Sequence, residues 1–251
     1  MAGASVAMAW QDGSGPPAPS ADSRRRFRDL TVRTVAGVAM ATLALVAILL
    51  GPLGVVLMTA AILGGIAAEW RSLIRRGLPI PWAVGGGLYL LLAGLCFCYI
   101  YFGPRFESTI ELGRNSLFWF LAMMIANDCF AYGIGRWLGG PRLAPRISPK
   151  KTWSGTLGGI AAAGVSGAAA GWAMGAGNVP LLGAAGLVLG LIAQIGDLAE
   201  SRIKRQVGVK DSGSIIPGHG GLLDRVDGIA AAAIGLALAQ AITGSAALQW
   251  Q

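Results

Sequence analysis

Two stretches of this 251-residue chain carry side chains able to do chemistry, and both interrupt apolar sequence. The richer is "SRIKRQVGVKDSGSIIPGHGGLLDRVD", residues 201–227, which contains the only histidine of the chain, His219. Just before it, "GLIAQIGD" ends on Asp197. If one helix runs through both, Asp197, Ser201, Lys204 and Arg205 fall at i, i+4, i+7 and i+8 on one face. A carboxylate and two cations then share a stripe. The following loop supplies Lys210 and Asp211, and its glycines, Gly220 and Gly221 among them, permit close backbone approach to a ligand. Asp224 and Asp227, three apart, open the next helix as neighbours. Capping is the alternative reading for both, because acidic residues in a first turn suit the helix dipole.

Magnesium is typically held by one or two carboxylates plus substrate phosphates. Asp197 and Asp224 offer such hard oxygens, with Asp227 next in line. Lys204, Arg205, Lys210 and Arg225 offer charges that neutralise phosphate oxygens. Carboxylates, cations and glycines at a membrane surface are the parts needed for phosphoryl or nucleotidyl transfer to a lipid, where a protein mainly positions groups and stabilises charge. A charged transporter vestibule and a structural loop are the alternatives that these residues leave open.

The second stretch, "NDCFAYGIGRWLGGPRLAPRISPKKTWSGTLGG", covers residues 127–159. Asp128, Tyr132 and Arg136 follow at intervals of four and share a helical face; an intramembrane pair of Asp128 with Arg136 is the structural alternative. "GIGRWLGG" is not a dinucleotide fingerprint, since no strand precedes it and its spacing is not GxGxxG. Lys150 and Lys151, after a Ser148-Pro149 turn, present two ammonium groups at the headgroup plane, suited to a substrate phosphate or to anionic lipid.

The elements that position these groups are apolar. The chain is 54% hydrophobic and only 13% charged, with a mean hydropathy of +0.61. Membrane-spanning helices need about 20 mostly apolar residues, and seven segments approach this: 34–50, 52–69, 82–102, 115–135, 155–175, 179–197 and 226–246. The first two adjoin at Gly51-Pro52, which reads as a turn between two helices, with one kinked helix as the competitor. With the N-terminus in the cytoplasm and seven crossings, 18 of the 20 lysines and arginines fall on the cytoplasmic side, leaving only Arg105 and Arg114 outside. The net charge of +8 is therefore a topology signal, and nucleic acid is excluded as a partner. Cys96, Cys98 and Cys129 show no metal-ligand spacing. The expected fold is an all-α, polytopic integral membrane protein of about seven transmembrane helices or more. Residues 1–30 form a disordered cytoplasmic tail rich in Gly, Pro and Ser, 31–114 the N-terminal helices, and 115–251 a C-terminal domain with catalytic groups at the cytoplasmic face.

The pattern Ser201-x-x-Lys204-Arg205, Lys210-Asp211, Pro217-x-His219-Gly220-Gly221-x-x-Asp224-Arg225-x-Asp227 resembles, without a gap, the signature of the phosphatidate cytidylyltransferases, or CDP-diacylglycerol synthases. Asp128 with "AYGIGR", and "SPKKTW", are similar to the same family, so the likeness covers roughly residues 115–240. Ser154 stands where many members carry an acidic residue, and it is left out of the expected site. The resemblance implies CMP transfer from CTP to phosphatidic acid, giving CDP-diacylglycerol and pyrophosphate at the inner membrane. It also implies Mg²⁺, leaves room for a second, monovalent cation such as K⁺, and makes a homodimer an expectation. On that reading Asp197 and Asp224 bind metal. Lys204, Arg205, Lys210, Asp211, His219, Arg225 and Asp227 serve catalysis, and Ser201, Lys150, Lys151, Asp128, Arg136, Gly220 and Gly221 bind substrate. A CDP-alcohol phosphotransferase would need Arg and further Asp residues after Asp227-Gly228, where this chain has "IAAAAIGLALAQA". A transporter would need polar residues deep in several spans, whose middles here are almost wholly Ala, Leu, Ile, Val and Gly.

Overall fold

The computed structural model describes residues 21–104, 109–213, 215–216 and 220–250, with side chains from residue 35 onward. Seven long helices follow in order: α1 (Ala21–Leu49), α2 (Pro52–Arg75), α3 (Ile80–Phe102), α4 (Ile110–Leu138), α5 (Trp153–Ala173), α6 (Val179–Gln206) and α7 (Leu223–Thr243). Each apolar segment read from the sequence falls on one of them. Five of the helices, α2, α3, α4, α6 and α7, are long and apolar enough to cross a membrane, which makes this a multi-pass helical membrane protein. Five of the seven expected spans meet that measure among the described residues, and α1 and α5 do not. In α1 the side chains described begin at Val35, and Val35–Leu49 is apolar. In α5 the residues are largely Gly and Ala, too small to be strongly apolar. Of the expected tail, residues 21–30 are already helical in α1, and residues 1–20 lie outside the described residues.

At Gly51 the chain breaks, with φ 79° and ψ −150°, and Pro52 begins α2. An L side chain resists that φ and proline has no N–H to complete a continuing helix, so α1 and α2 are two helices and not one kinked one. Between α4 and α5 runs the one β-sheet among the described residues. It is an antiparallel hairpin of β1 (Arg142–Ala144) and β2 (Ser148–Thr152), paired Arg142 with Thr152 and Ala144 with Ser148. The Ser148-Pro149 turn expected from the sequence is therefore strand, and the hairpin turns earlier, where Ile147 N donates to Ala144 O at 3.1 Å.

The small residues of α5 explain its place. It packs along α4 on one side and α6 on the other. A Cβ on Gly155 or Gly159 would stand 2.5 Å from Ala131 O or 2.6 Å from Asn127 O, both in α4. One on Gly167 would stand 2.8 Å from Leu182 O in α6, and one on Gly186 of α6 would stand 2.5 Å from Ala163 O. Backbone thus meets backbone across both seams, the geometry that small residues permit between membrane helices. Trp119 of α4 reaches across the slab, donating from Nε1 to Gly167 O at 2.9 Å.

Gly159→Ala should therefore destabilise the detergent-solubilised protein by about 1–3 kcal/mol, as overpacking does. Gly133→Ala, in α4 with nothing within 4 Å, should be neutral or stabilising by up to about 1 kcal/mol. Thermal unfolding of the two variants side by side checks this, and equal melting points would refute the close packing of α4 on α5.

Candidate active site

The helix ends gather the charged residues. Thr152 at the end of β2 caps α5 by accepting from Gly155 N at 3.1 Å, so Lys151, one residue earlier, is fixed at that end of the slab. Its Nζ lies 2.5 Å from Asp197 Oδ2 of α6 and makes no hydrogen bond of good geometry. The side chains of Lys151 and Asp197 are 19% and 36% exposed. Asp197 Oδ1 also accepts from Ser201 Oγ at 3.4 Å, one turn on. Asp128 of α4 accepts from Asn127 Nδ2 at 3.3 Å and lies within electrostatic range of Asp197, Lys151 and Arg225.

Lys204 behaves differently. It is buried, with Nζ 2.5 Å from Glu200 Oε2 and 2.6 Å from Asp224 Oδ1. Asp224 in turn accepts from Ser212 N at 3.1 Å and from Gly221 N at 2.9 Å. It thus ties α6, Ser212, Gly221 and the start of α7 together. Arg205 turns the other way, donating from Nε to Ile147 O at 3.2 Å and from NH1 to Val209 O at 2.7 Å. The expected stripe of Asp197, Ser201, Lys204 and Arg205 is therefore split. At about 100° per residue, Lys204 and Arg205 point to opposite sides of the Asp197 direction, one into the α7 contact and one onto the hairpin.

Asp227, one turn into α7, accepts from Gly228 N at 2.8 Å and lies within electrostatic range of Asp197 and Glu200. With Glu200 and Tyr89 it lines a cleft of about 440 Å³ whose other walls include Trp70, Trp82 and Leu223. Lys150, Lys210, Asp211 and Arg225 are exposed. Arg136 is exposed too, its NH1 3.5 Å from Tyr132 OH, and it makes no ion pair with Asp128. Gly220 adopts φ 86° and bridges to Ile216, and Gly221 packs where a Cβ would stand 1.9 Å from Ser212 Oγ. His219 lies outside the described residues. Ser154, left out of the expected site, donates to the Gly139 carbonyl.

Three contributors escaped the sequence reading. Glu200 lies four residues before Lys204, a legible pairing distance. Tyr89 carried no polar neighbour in sequence. Glu69, at the end of α2, is 3% exposed yet accepts from Ser212 Oγ at 2.8 Å, Leu222 N at 2.8 Å and Leu223 N at 2.9 Å. Its signal was a lone carboxylate at the end of an apolar span.

A model of the cytidylyltransferase family matches residues 86–242, more than half of the chain. The chain belongs to the cytidylyltransferase family. Similar proteins named phosphatidate cytidylyltransferase occur in Brucella abortus biovar 1 (strain 9-941), 43% identical over 185 residues that make up 70% of this chain and 61% of the relative. In Synechocystis sp. (strain ATCC 27184 / PCC 6803 / Kazusa) the identity is 47% over 107 residues, 42% of this chain and 36% of the relative. In Mycobacterium bovis (strain ATCC BAA-935 / AF2122/97) it is 38% over 125 residues, 49% of this chain and 40% of the relative. The matched part of this chain spans about three-fifths of the Brucella protein, 61%. The family match contains α4 to α7 and the hairpin, hence every expected site residue, while Glu69 lies before it.

A divalent cation fits this site unevenly. Asp197 is part-exposed, bears hard oxygens, and already has a cationic group 2.5 Å away in Lys151 Nζ. Asp128 and Asp227 add negative charge around it. Asp224 has its oxygens met by Lys204, Ser212 and Gly221. Among the described residues no three carboxylates, cysteines or histidines are close enough to form a ready metal cage, because each lysine draws a carboxylate toward itself.

Lys204→Met leaves Glu200 and Asp224 facing each other without their cation, a loss of about 3–5 kcal/mol for a broken buried pair. Lys150→Met, on the exposed side of β2, should change stability by no more than about 0.5 kcal/mol. Unfolding of both variants in detergent tests the difference; a Lys204→Met protein as stable as wild type would show that the trio does not hold α6 to α7.

Proposed function

We propose that this chain transfers CMP from CTP to phosphatidic acid, forming CDP-diacylglycerol and pyrophosphate, with its site on the cytoplasmic face of the inner membrane. The observation that carries the reading is the pairing of Lys151 with Asp197 at 2.5 Å. It joins the "SPKKT" strand to the start of the signature stretch at one end of the bundle, beside an apolar cleft bordered by carboxylates. The relatives' names supply the substrates. The 18-to-2 division of basic residues supports seven crossings with the N-terminus inside, counting α1 and α5 beside the five helices that are long and apolar enough among the described residues.

In the proposed reaction a phosphate oxygen of phosphatidic acid attacks the α-phosphorus of CTP. The bond from that phosphorus to the bridging oxygen of the β-phosphate breaks, and pyrophosphate carries the electron pair away. A phosphate is already anionic at neutral pH, so the barrier is chiefly repulsion between anions, which cations placed beforehand lower. Lys151 is the cation best placed for this: its buried ammonium pairs with Asp197 and makes no hydrogen bond of good geometry, so it has protons to donate. Lys150 and Lys210 are exposed and add to the positive charge available to a triphosphate. Arg225 and Asp128 lie within range of the same centre. Lys204 and Arg205 act by holding the loop and the hairpin, since their donors are engaged within the protein.

Mg²⁺ would be held by Asp197 with Asp227 beside it, and would supply neutralisation of triphosphate charge. Asp224 belongs to the supporting framework and not to that set. The cleft between Trp70, Trp82 and Tyr89 suits the glycerol and upper acyl carbons of a lipid whose phosphate reaches the Lys151 side.

Membranes containing the protein, given labelled CTP and phosphatidic acid, should place label in the lipid fraction. Asp197→Asn and Lys151→Ala should each lower that rate at least about 100-fold, the scale of losing one electrostatic group at a transition state, while membrane insertion is unchanged. No lipid label from the wild type would sink the assignment, and full activity in Asp197→Asn would sink the role given to Asp197.

A further inference from the structure

The start of α7 lacks a side-chain cap of its own: Leu222, its N-cap residue, offers none. Helix N-termini leave N–H groups that must find acceptors when buried. Here the acceptor comes from α2. Glu69, 3% exposed, takes Leu222 N on Oε1 at 2.8 Å and Leu223 N on Oε2 at 2.9 Å. The same Oε2 takes Ser212 Oγ at 2.8 Å, so one carboxylate holds both ends of the loop between residues 212 and 222. Two glycines make room for it. A Cβ on Gly213 would stand 2.7 Å from Glu69 Oε1, and one on Gly221 would stand 2.7 Å from Oε2. The post itself is fixed, because the neighbouring Trp70 donates from Nε1 to Ala83 O at 2.9 Å and its ring fills the space a Gly86 Cβ would need.

We propose that Glu69 is a positioning residue of the site: a clamp, contributed from outside the matched family region, that holds Ser212, Leu222 and Leu223, where the loop leaves and enters the helices, in their working arrangement. This rests on the transfer reaction proposed above. Glu69 touches no reacting group. It acts through Ser212, which it shares with Asp224, and through Asp224 on Lys204. The clamped segment leads from the exposed Lys210 to Arg225, groups placed around the nucleotide phosphates. With the clamp broken, that segment must be ordered when CTP binds. Ordering entropy is then charged to binding, so KM for CTP rises more than kcat falls.

Glu69→Gln keeps the shape but places an amide N–H₂ against at least one of the three donors. Ser212→Ala removes a single bond and leaves the carboxylate with Leu222 N and Leu223 N, so it stays informative if Glu69→Gln fails to insert. Hydrogen exchange followed by mass spectrometry, with KM and kcat for CTP, decides the matter. Glu69→Gln should speed exchange of residues 211–223 at least tenfold with α4, α5 and the first half of α6 unchanged, and raise KM for CTP at least fivefold. Ser212→Ala should move both in the same direction, two- to threefold. Unchanged exchange in 211–223, or faster exchange of all helices together, would overturn the clamp. So would an unchanged KM accompanied only by less active protein. If the wild type labels no lipid, the transfer reaction falls, while the exchange pattern still judges whether Glu69 holds the loop.

Discussion

An ammonium group buried among helices must be paired, and the position of Lys204 between Glu200 and Asp224 governs the rest of the site. A lone charge there would face a desolvation penalty of several kcal/mol. Two carboxylates around one cation leave a net negative charge, so the second carboxylate needs further donors. Asp224 finds them in the backbone N–H groups of Ser212 and Gly221. Each partner thereby requires another, and the sequence of bonds runs from α6 through α7 and the loop to Glu69 in α2. The charge density of this region is mostly internal bookkeeping of the fold. What remains for substrate is the smaller set not consumed by it.

The rigid counterpart of this polar chain is the slab of α4, α5 and α6. Glycines at 155, 159, 167 and 186 bring backbones so close that the three helices cannot slide past one another without collision. Asp128 on α4, Lys151 at the entry to α5 and Asp197 on α6 are each carried by one helix of that slab. Their mutual geometry is set by backbone contact and not by flexible side chains. Sites on such elements hold their arrangement better than sites on loops. The hairpin extends the slab outward: Arg142 NH1 donates to Lys150 O at 3.2 Å and Arg205 grips Ile147 O, so the two lysines of β2 are presented from a braced edge.

The helices were legible in the sequence because apolar runs bounded by Gly, Pro and charge are local signals. What was not legible is tertiary. The hairpin escaped because its strands are three and five residues long, below the length at which alternation declares itself, and because Ser148-Pro149 reads as a turn. The expected site residues were chosen by type and spacing, but spacing alone could not divide buried charges from exposed ones. Lys204 and Arg205 are adjacent, and only the neighbours α7 and the hairpin decide that one is buried and the other exposed. Asp224 presented the same ambiguity between metal ligand and cap, and the N–H groups it accepts from belong to residues 12 and 3 positions earlier, which its own spacing does not announce. Glu69 lies 143 residues from its Ser212 partner, a separation across which no periodicity carries information.

The division between structural and free charge also limits what the proposed chemistry can use. An anionic substrate gains little from a lysine whose ammonium is already enclosed by two carboxylates, because it would have to displace both and leave them unpaired. Lys151 is different. It has one carboxylate partner, about one-third exposed at 36%, and its buried ammonium makes no hydrogen bond of good geometry, so an anion that reaches it replaces one partner where an anion at Lys204 would have to replace two. On the proposed reading, an anion that took Lys151 from Asp197 would free Asp197 oxygens within electrostatic range of Asp227 and Asp128, and that concentration of negative charge would favour a cation there.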